Sequence, residues 1–420
     1  MTGAAGSIPA PPPHPALGRV PVRVAVVVLV LAVAALGFHL GAGAVPAAAC
    51  AIAAAVLVAG CPVATPLAER ALPATARRGA ARLGVPLGFT ELALLGEVDT
   101  LVLPRVGAVT TGVAELRATT AAPGEDRAEV LRLAAAVERP AEHPLAAAVV
   151  TAAAEGEEPP DVAEFDALPG RGALGVVADV VGDQVVAHAV LVGSAAFLLE
   201  HGIALPAELA AARDEIEREG RTAVAVAWDG VARGLLDVDE PLRPGAAAAL
   251  ALARRAGVRP VVLTGAGPGV AAALAQRLHA DPDDVVAEPS PGSGAEVVRL
   301  LRAKGALVAR AAPGGGAVVD LPVPEGGAAA LVGALLLARR ARRVRTAVEG
   351  LSSATALLGA GAAAAGLLPP ILAPAVPAAG AALAATGWLA VAAFGPNAAA
   401  RAGGGDAVTG RAEPAGATCG

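Results

Sequence analysis

Four long apolar runs, set as two pairs around a more polar middle, constrain this chain most. Residues 20–38 carry one charge, Arg23, and residues 44–62 carry none. A short neutral loop through His39 and Gly43 joins them. Residues 351–368 and 371–394 repeat the pattern, broken by prolines. Each run is about the length of one bilayer crossing. Arg19 and Arg23 precede the first pair, and Arg70, Arg77, Arg78 and Arg82 follow it. Arg339, Arg340, Arg342, Arg343 and Arg345 precede the second pair, and Arg401 and Arg411 follow it. With basic residues inside, both ends of each hairpin face the cytoplasm. The expectation is a multi-pass protein of the cell membrane with about four transmembrane helices, in contact with the lipid bilayer, its soluble domains and both termini cytoplasmic. The alternative is an Ala-rich buried helix pair in a soluble domain.

Composition needs care here. Hydrophobic residues make up 55% of the chain and mean hydropathy is +0.62. Much of this is Ala and Val, Tyr is absent, and Lys304 is the sole lysine. Apolar runs are therefore judged by length and flanks. The composition excludes a disordered chain. A net charge of −6 without a basic, aromatic-studded patch argues against nucleic acid as a partner. Cys50, Cys61 and Cys419 are too few for a disulfide framework.

Between the pairs, short β-branched runs alternate with Ala/Leu/Arg helices, the pattern of an α/β unit with a parallel sheet. Core strands are expected at 101–103, 258–263 and 306–309. A segment after the first of these has its own helices and two paired strands, 172–180 and 184–192. The organisation predicted is a tail at 1–18, a transmembrane pair with a Cys-Pro motif at 19–68, and a stalk at 69–98. A discontinuous domain follows at 99–113 and 240–325, with an inserted domain at 114–239. A stalk and second transmembrane pair fill 326–395, and a tail 396–420. Both tails are expected to be disordered.

Two motifs carry a family resemblance. Cys61-Pro62-Val63 stands at the inner end of an apolar run, followed by Ala64-Thr65-Pro66. Downstream, Asp99-Thr100-Leu101-Val102-Leu103-Pro104-Arg105-Val106-Gly107 reads as a strand leading into a turn. Together they resemble the heavy-metal-transporting P-type ATPases. Glu142-His143-Pro144-Leu145 resembles that family's His-Pro motif, and Pro169-Gly170-Arg171-Gly172 its glycine motif. Leu242-Arg243-Pro244 and Val262-Leu263-Thr264-Gly265 match the returning strand region. The resemblance implies a haloacid-dehalogenase-like parallel sheet, an inserted α+β nucleotide-binding domain, and ATP, Mg²⁺ and a soft metal ion, copper or zinc, as ligands.

The resemblance also shows what the chain lacks. The phosphorylated aspartate falls on Pro104, which has no nucleophile. The lysine and threonine after it fall on Arg105 and Val106. The second strand end reads Thr264-Gly265-Ala266-Gly267, where the family has an acid at the position of Ala266. The third reads Ala312-Pro313-Gly314-Gly315-Gly316-Ala317, so the carboxylates that hold Mg²⁺ fall on Pro313 and Ala317. A lysine expected upstream falls on about Gly294. Asp99 is read as a surface or capping residue, Glu240 as a helix-start charge, and Asp320 as a distant substitute acid. A Cys-x-x-Cys domain, leading membrane helices and a Thr-Gly-Glu actuator loop are missing, which implies a truncated, degenerate member.

Glu142, His143 and Pro144, with Gly170 and Gly172, are the candidate nucleotide-binding residues; Glu142 and His143 would bracket the adenine. The alternative for Glu142-His143-Pro144 is a plain helix start. Cys61 is the candidate metal ligand, a thiolate suited to a soft ion; its alternative is a small buried apolar residue. The reading is a membrane pseudoenzyme with no catalytic residue, residual ATP binding or a regulatory or scaffold role, and a full-length pump or metal-homeostasis protein as partner. The alternatives are an active ATP-driven heavy-metal transporter with its motifs placed elsewhere, and a soluble phosphohydrolase. Both require an acid where Pro104 stands.

Overall fold

The computed structural model describes residues 19–168, 170–181, 184–287, 293–312 and 317–393. A five-stranded parallel sheet forms around β1 (Thr100–Pro104), with β8 (Arg259–Thr264), β9 (Val285–Ala287), β10 (Val308–Arg310) and β11 (Val319–Asp320) in the order β11-β10-β1-β8-β9. Helices cover both faces, so β1 and β8 are apolar almost throughout. Leu101, Leu103, Val262 and Ala309 point to one side. There they meet α4 (Phe89–Leu95), α9 (Ala246–Arg255), α10 (Pro268–Arg277) and the start of α12 (Gly327–Ala364). Val102, Val261, Leu263 and Val308 point to the other side, against α11 (Ser293–Ala303).

After β1 the chain leaves this sheet and builds a second one. It is antiparallel with six strands: β2 (Glu115–Ala121), β3 (Val162–Leu168), β4 (Gly172–Val181), β5 (Gln184–Gly193), β6 (Thr222–Trp228) and β7 (Val231–Asp239). Their order is β2-β7-β6-β5-β4-β3. Strict alternation along β6 sorts its two faces. Val224, Val226 and Trp228 pack under α5 (Arg127–Glu138) and α6 (Pro144–Ala153). Ala223, Ala225 and Ala227 pack under α7 (Ala195–Glu200) and α8 (Ala207–Arg218).

The remaining helices form a bundle: α1 (Arg19–Gly41), α2 (Pro46–Ala59), α3 (Ala64–Arg82), the far half of α12, and α13 (Ala375–Ala392). Glycines let them approach closely: a Cβ on Gly60 would strike Val28, one on Gly359 would strike Val376, and one on Gly387 would strike Val344. Val22–Gly41 and Pro370–Ala392 are long and apolar enough to cross a membrane by length and composition. The run expected at 44–62 forms a shorter helix of 14 residues, about 21 Å, because Gly60 and Pro62 end it. The run at 351–368 is not a separate helix. It is the end of α12, which continues for 38 residues, about 57 Å, from the parallel sheet into the bundle.

The start of α12 leans on the loop after β1. Gly327 has φ +55°, and a Cβ there would collide with the Ala108 carbonyl oxygen and stand 2.6 Å from Arg243 Cδ. Gly327→Ala should therefore lower stability by about 1–3 kcal/mol through backbone strain and overpacking. Thermal unfolding of the detergent-solubilised chain checks this; Gly257→Ala, at φ +74° but facing open space, separates the strain from the collision.

Candidate functional site

The C-terminal edge of the parallel sheet is where ligands collect in α/β folds. There β1 ends in Pro104 at φ −68°, ψ 147°. Its register partner is Leu263 of β8, whereas pairing with β10 stops at Val102. A residue without an N–H fits such a one-sided position. Gly107, at φ +78°, turns the following loop, which closes when Thr110 bridges Leu242.

A buried carboxylate does sit beside this loop, but it is fully engaged. Glu240 Oε2 accepts from Arg105 Nη2 at 2.7 Å, and Oε1 accepts from Thr110 Oγ1 at 2.7 Å. The side chains of Arg105 and Glu240 are only 15% and 8% exposed. This corrects the expectation that Glu240 is a helix-start charge: α9 begins only at Ala246, and Glu240 ties the segment leaving the inserted domain to the one entering it. Arg243 adds a second tie, donating to the carbonyls of Gly107 at 2.8 Å, Glu325 at 2.6 Å and Thr111 at 3.3 Å.

The other strand ends are less polar. Thr264 is buried, and its Oγ1 accepts from the Ala266 N–H at 3.2 Å. Pro313 and Gly316 lie outside the described residues; Ala317 follows them, and Gly294 lies in the first turn of α11. Asp320 is exposed on the edge strand β11. Asp99 has a structural duty: its carboxylate accepts from Thr100 Oγ1 at 2.8 Å and from the Leu307 N–H at 3.1 Å. Among the described residues, no three His, Cys, Asp or Glu side chains converge as a metal cluster.

The inserted domain holds a different arrangement. His143 is the N-cap of α6: its Nδ1 accepts from the Ala146 N–H at 3.0 Å, and Pro144 occupies the first turn. The helix-start reading thus describes the backbone. With Nδ1 an acceptor, the neutral ring carries its proton on Nε2. That nitrogen lies 3.3 Å from Glu138 Oε2. The Glu138 side chain is only 3% exposed, and Oε2 has no hydrogen-bond partner. Burial raises the Glu138 pKa to about 7 and lowers that of His143. Glu142 is exposed, as is His143, and the acid that faces the His143 ring is Glu138. The missed signal was periodicity: Glu138 continues the buried stripe of Val130, Leu133, Ala134 and Val137, where an acid is out of place.

The glycines divide in role. Gly170 takes φ +76°, a turn that favours glycine, and Pro169 lies outside the described residues. Gly172 meets its own fold: a Cβ there would stand 2.5 Å from both Phe197 Cδ1 and the Val192 carbonyl oxygen. Cys61 is exposed in the break between α2 and α3, beside Ser352, Thr355 and Gly380. Cys50 lies on α2, one face of the same helix pair.

Glu138 has a measurable signature. Its folded pKa of about 7 exceeds the ordinary 4.5, so the protonated carboxyl favours the fold. That contribution is complete below about pH 4.5 and is lost as pH rises through about 7. Glu138→Gln should remove this fall and leave the inserted domain more stable at pH 8 by a few kcal/mol at most. Denaturation followed by Trp228 fluorescence, in a Trp388→Phe background, reads it.

Comparison with known proteins agrees with this architecture. Residues 99–309, half of the chain, match the family model of haloacid dehalogenase-like hydrolases. The chain is 36% identical over 254 residues to the copper-exporting P-type ATPase of Mycobacterium leprae, covering 60% of this chain and 31% of that one. A probable copper-exporting P-type ATPase of Archaeoglobus fulgidus is 32% identical over 252 residues, covering 60% and 30%. The chain thus spans about a third of the length of these curated relatives. A crystal structure of a zinc-transporting PIB-type ATPase has the same fold, with TM-score 0.61 at 24% identity over 89% of this chain and 62% of that one. A second crystal structure of such a zinc-transporting pump, in another state, gives TM-score 0.52 at 27% identity, over 86% and 62%. By its interrupted parallel sheet and these relatives, the chain belongs to the haloacid dehalogenase-like hydrolases and, within them, to the heavy-metal P-type ATPase family.

Proposed function

We propose that this chain is a non-phosphorylating member of its family, which binds a purine nucleotide on the inserted domain and acts by contact. One observation carries the first half: the central strand ends in Pro104, and the carboxylate bonded at the adjoining loop, Glu240, is held by Arg105 and Thr110. An aspartyl-phosphate needs a free carboxylate oxygen to attack the terminal phosphorus of ATP, and neither residue supplies one. The relatives named as copper-exporting or zinc-transporting pumps make a soft metal the ion to test, with Cys61 as the thiolate that would meet it.

The nucleotide half rests on Glu138. A buried carboxylate oxygen without a partner is costly, and an adenine exocyclic amine is a donor of the kind that would satisfy it. The neighbouring His143 offers an imidazole whose position is fixed by its cap to Ala146. Gly170, in its left-handed turn, Gly172, Pro144 and Glu142 complete the proposed set, to which Glu138 is added. On this reading the protein lies in the cell membrane, with the α1–α2 pair and the far half of α12 with α13 crossing the bilayer, and the two sheet domains and both termini on the cytoplasmic side. Its partner is a full-length pump or a metal-homeostasis protein.

The test uses the purified full chain in detergent with terminally labelled ATP and a fluorescent ATP analogue. Analogue binding without acid-stable phosphoprotein is the expected result, with affinity falling roughly tenfold to a hundredfold in His143→Ala or Glu138→Ala. A phosphoprotein released by hydroxylamine would overturn the reading and make the chain an active transporter. Absence of analogue binding would leave the contact role alone.

A further inference from the structure

The arginines where the helical bundle meets the parallel-sheet domain are not all engaged by the protein. On α12, Arg339 donates to the carbonyls of Ala256 and Val98, Arg342 meets Glu97 at 3.2 Å, and Arg345 meets Glu349 at 2.6 Å. The end of α3 is different. Arg78 and Arg82 are exposed, and among the described residues neither meets an acid; Arg78 donates from Nε to the Ala74 carbonyl at 3.3 Å. Their neighbour Arg77 lies over the ring of Phe89 at 4.6 Å, and that ring, at the start of α4, is itself 52% exposed. The acid nearest to it on α4, Glu91, accepts from the Gly88 N–H at 2.7 Å. The helix dipole favours a cation in the last turn, where Arg82 stands, but its effect has faded a turn earlier at Arg77 and Arg78.

Trp388 sets the depth of this cluster. It stands near the end of the apolar span Pro370–Ala392, is 39% exposed, and donates from Nε1 to Thr75 Oγ1 at 2.7 Å. A partly exposed tryptophan at the end of a membrane span marks the headgroup level. Arg78 follows Thr75 by three residues and Arg82 by seven, so the three share one face of α3. The rise from Thr75 is about 4.5 Å to Arg78 and about 10.5 Å to Arg82, which sets the cations just outside the indole. On the bilayer side, Leu383 and Leu389 of α13 are exposed apolar surface. We propose that this face of α3 binds the phosphate of an anionic phospholipid of the cytoplasmic leaflet, with Arg78 and Arg82 as its cations and the acyl chains along α13. A guanidinium can give a phosphate two parallel N–H···O bonds. A headgroup with no cation of its own gains most from such a pair, which selects anionic over zwitterionic lipid. The inference rests on the membrane placement given above and adds to it one lipid class at one position.

Quenching of Trp388 by brominated lipid tests this on the purified full chain in vesicles. Trp228, buried in the inserted domain, supplies a constant background, and Trp388→Phe should abolish the quenching. In vesicles of phosphatidylcholine alone, its dibrominated form should quench Trp388, which reads the membrane placement by itself. In mixed vesicles of constant composition, the bromines are carried either by phosphatidylcholine or by phosphatidylglycerol. The two quenching curves should give a preference of roughly five- to twentyfold for phosphatidylglycerol at low salt, the scale of one or two arginines near an anionic surface. Raising the salt should reduce it. The Arg78→Gln/Arg82→Gln double variant should bring the preference to about one, whereas Arg78→Lys/Arg82→Lys should retain most of it. Arg342→Gln, which removes a guanidinium already facing Glu97, should leave it unchanged. Equal quenching by the two lipids in the parent would overturn the site while the membrane placement stands. An undiminished preference in the glutamine double variant, with helical content intact, would do the same. Absence of quenching in phosphatidylcholine alone would remove the membrane placement and the site with it.

Discussion

The ion pair between Arg105 and Glu240 is the interaction on which the two sheet domains depend. An inserted domain enters and leaves its host by two strands, and those strands must be fixed or the insertion has no defined place. Arg105 lies just after β1, on the way into the insertion, and Glu240 just after β7, on the way out. Thr110 donates to the other carboxylate oxygen, and Arg243 gathers three carbonyls from the same neighbourhood. At 15% and 8% side-chain exposure, the pair is screened little by solvent, so its hydrogen bonds matter more than those of a surface pair. The same carboxylate is thereby unavailable for chemistry at the strand end. Structural order and lack of a free acid have one cause.

Outward from that tie, the molecule is organised by apolar burial in separate compartments. The parallel sheet is sealed on both sides, whereas in the six-stranded sheet the central strand β6 puts Val224, Val226 and Trp228 under α5 and α6 and alanines under α7 and α8. The alanine face lets α7 and α8 sit close. The long helix α12 joins these compartments to the helical bundle, and its first turn is fitted against Ala108 and Arg243. A displacement in the bundle along α12 therefore reaches the loop after β1 directly. The inserted domain shares no such apolar continuity, which is why its orientation rests on a few polar contacts.

Much of the fold was legible in the chain because hydrophobic periodicity is local. The strands around Leu101–Leu103 and Val262 are short apolar runs between polar breaks, and the paired strands expected at 172–180 and 184–192 are rich in valine. The boundary at Pro62 was legible too, since proline acts on its own backbone, whereas the earlier stop at Gly60 was not. The second membrane run was not legible as the end of a single helix. Nothing in residues 327–364 marks a break, but nothing in the sequence says that a basic stretch and an apolar stretch share one helix. Glu138 was hidden for another reason. It reads as an ordinary acid near a helix end, and the motif residue beside His143 drew the pairing instead.

The sequence by itself determined that Pro104 stands where a parallel strand ends and that no acid follows it in the loop, because residue identity and strand order are one-dimensional facts. Tertiary structure alone decided what each of these carboxylates faces. Glu240 faces Arg105, separated from it by the whole inserted domain; Glu138 rather than Glu142 faces His143; and Glu217 faces a helix of the other domain. The Arg105–Glu240 pairing depends on a chain reversal that brings distant residues to 2.7 Å, where Coulomb attraction and hydrogen bonding become strong. Local propensity does not encode those distances, and so the sequence left them open.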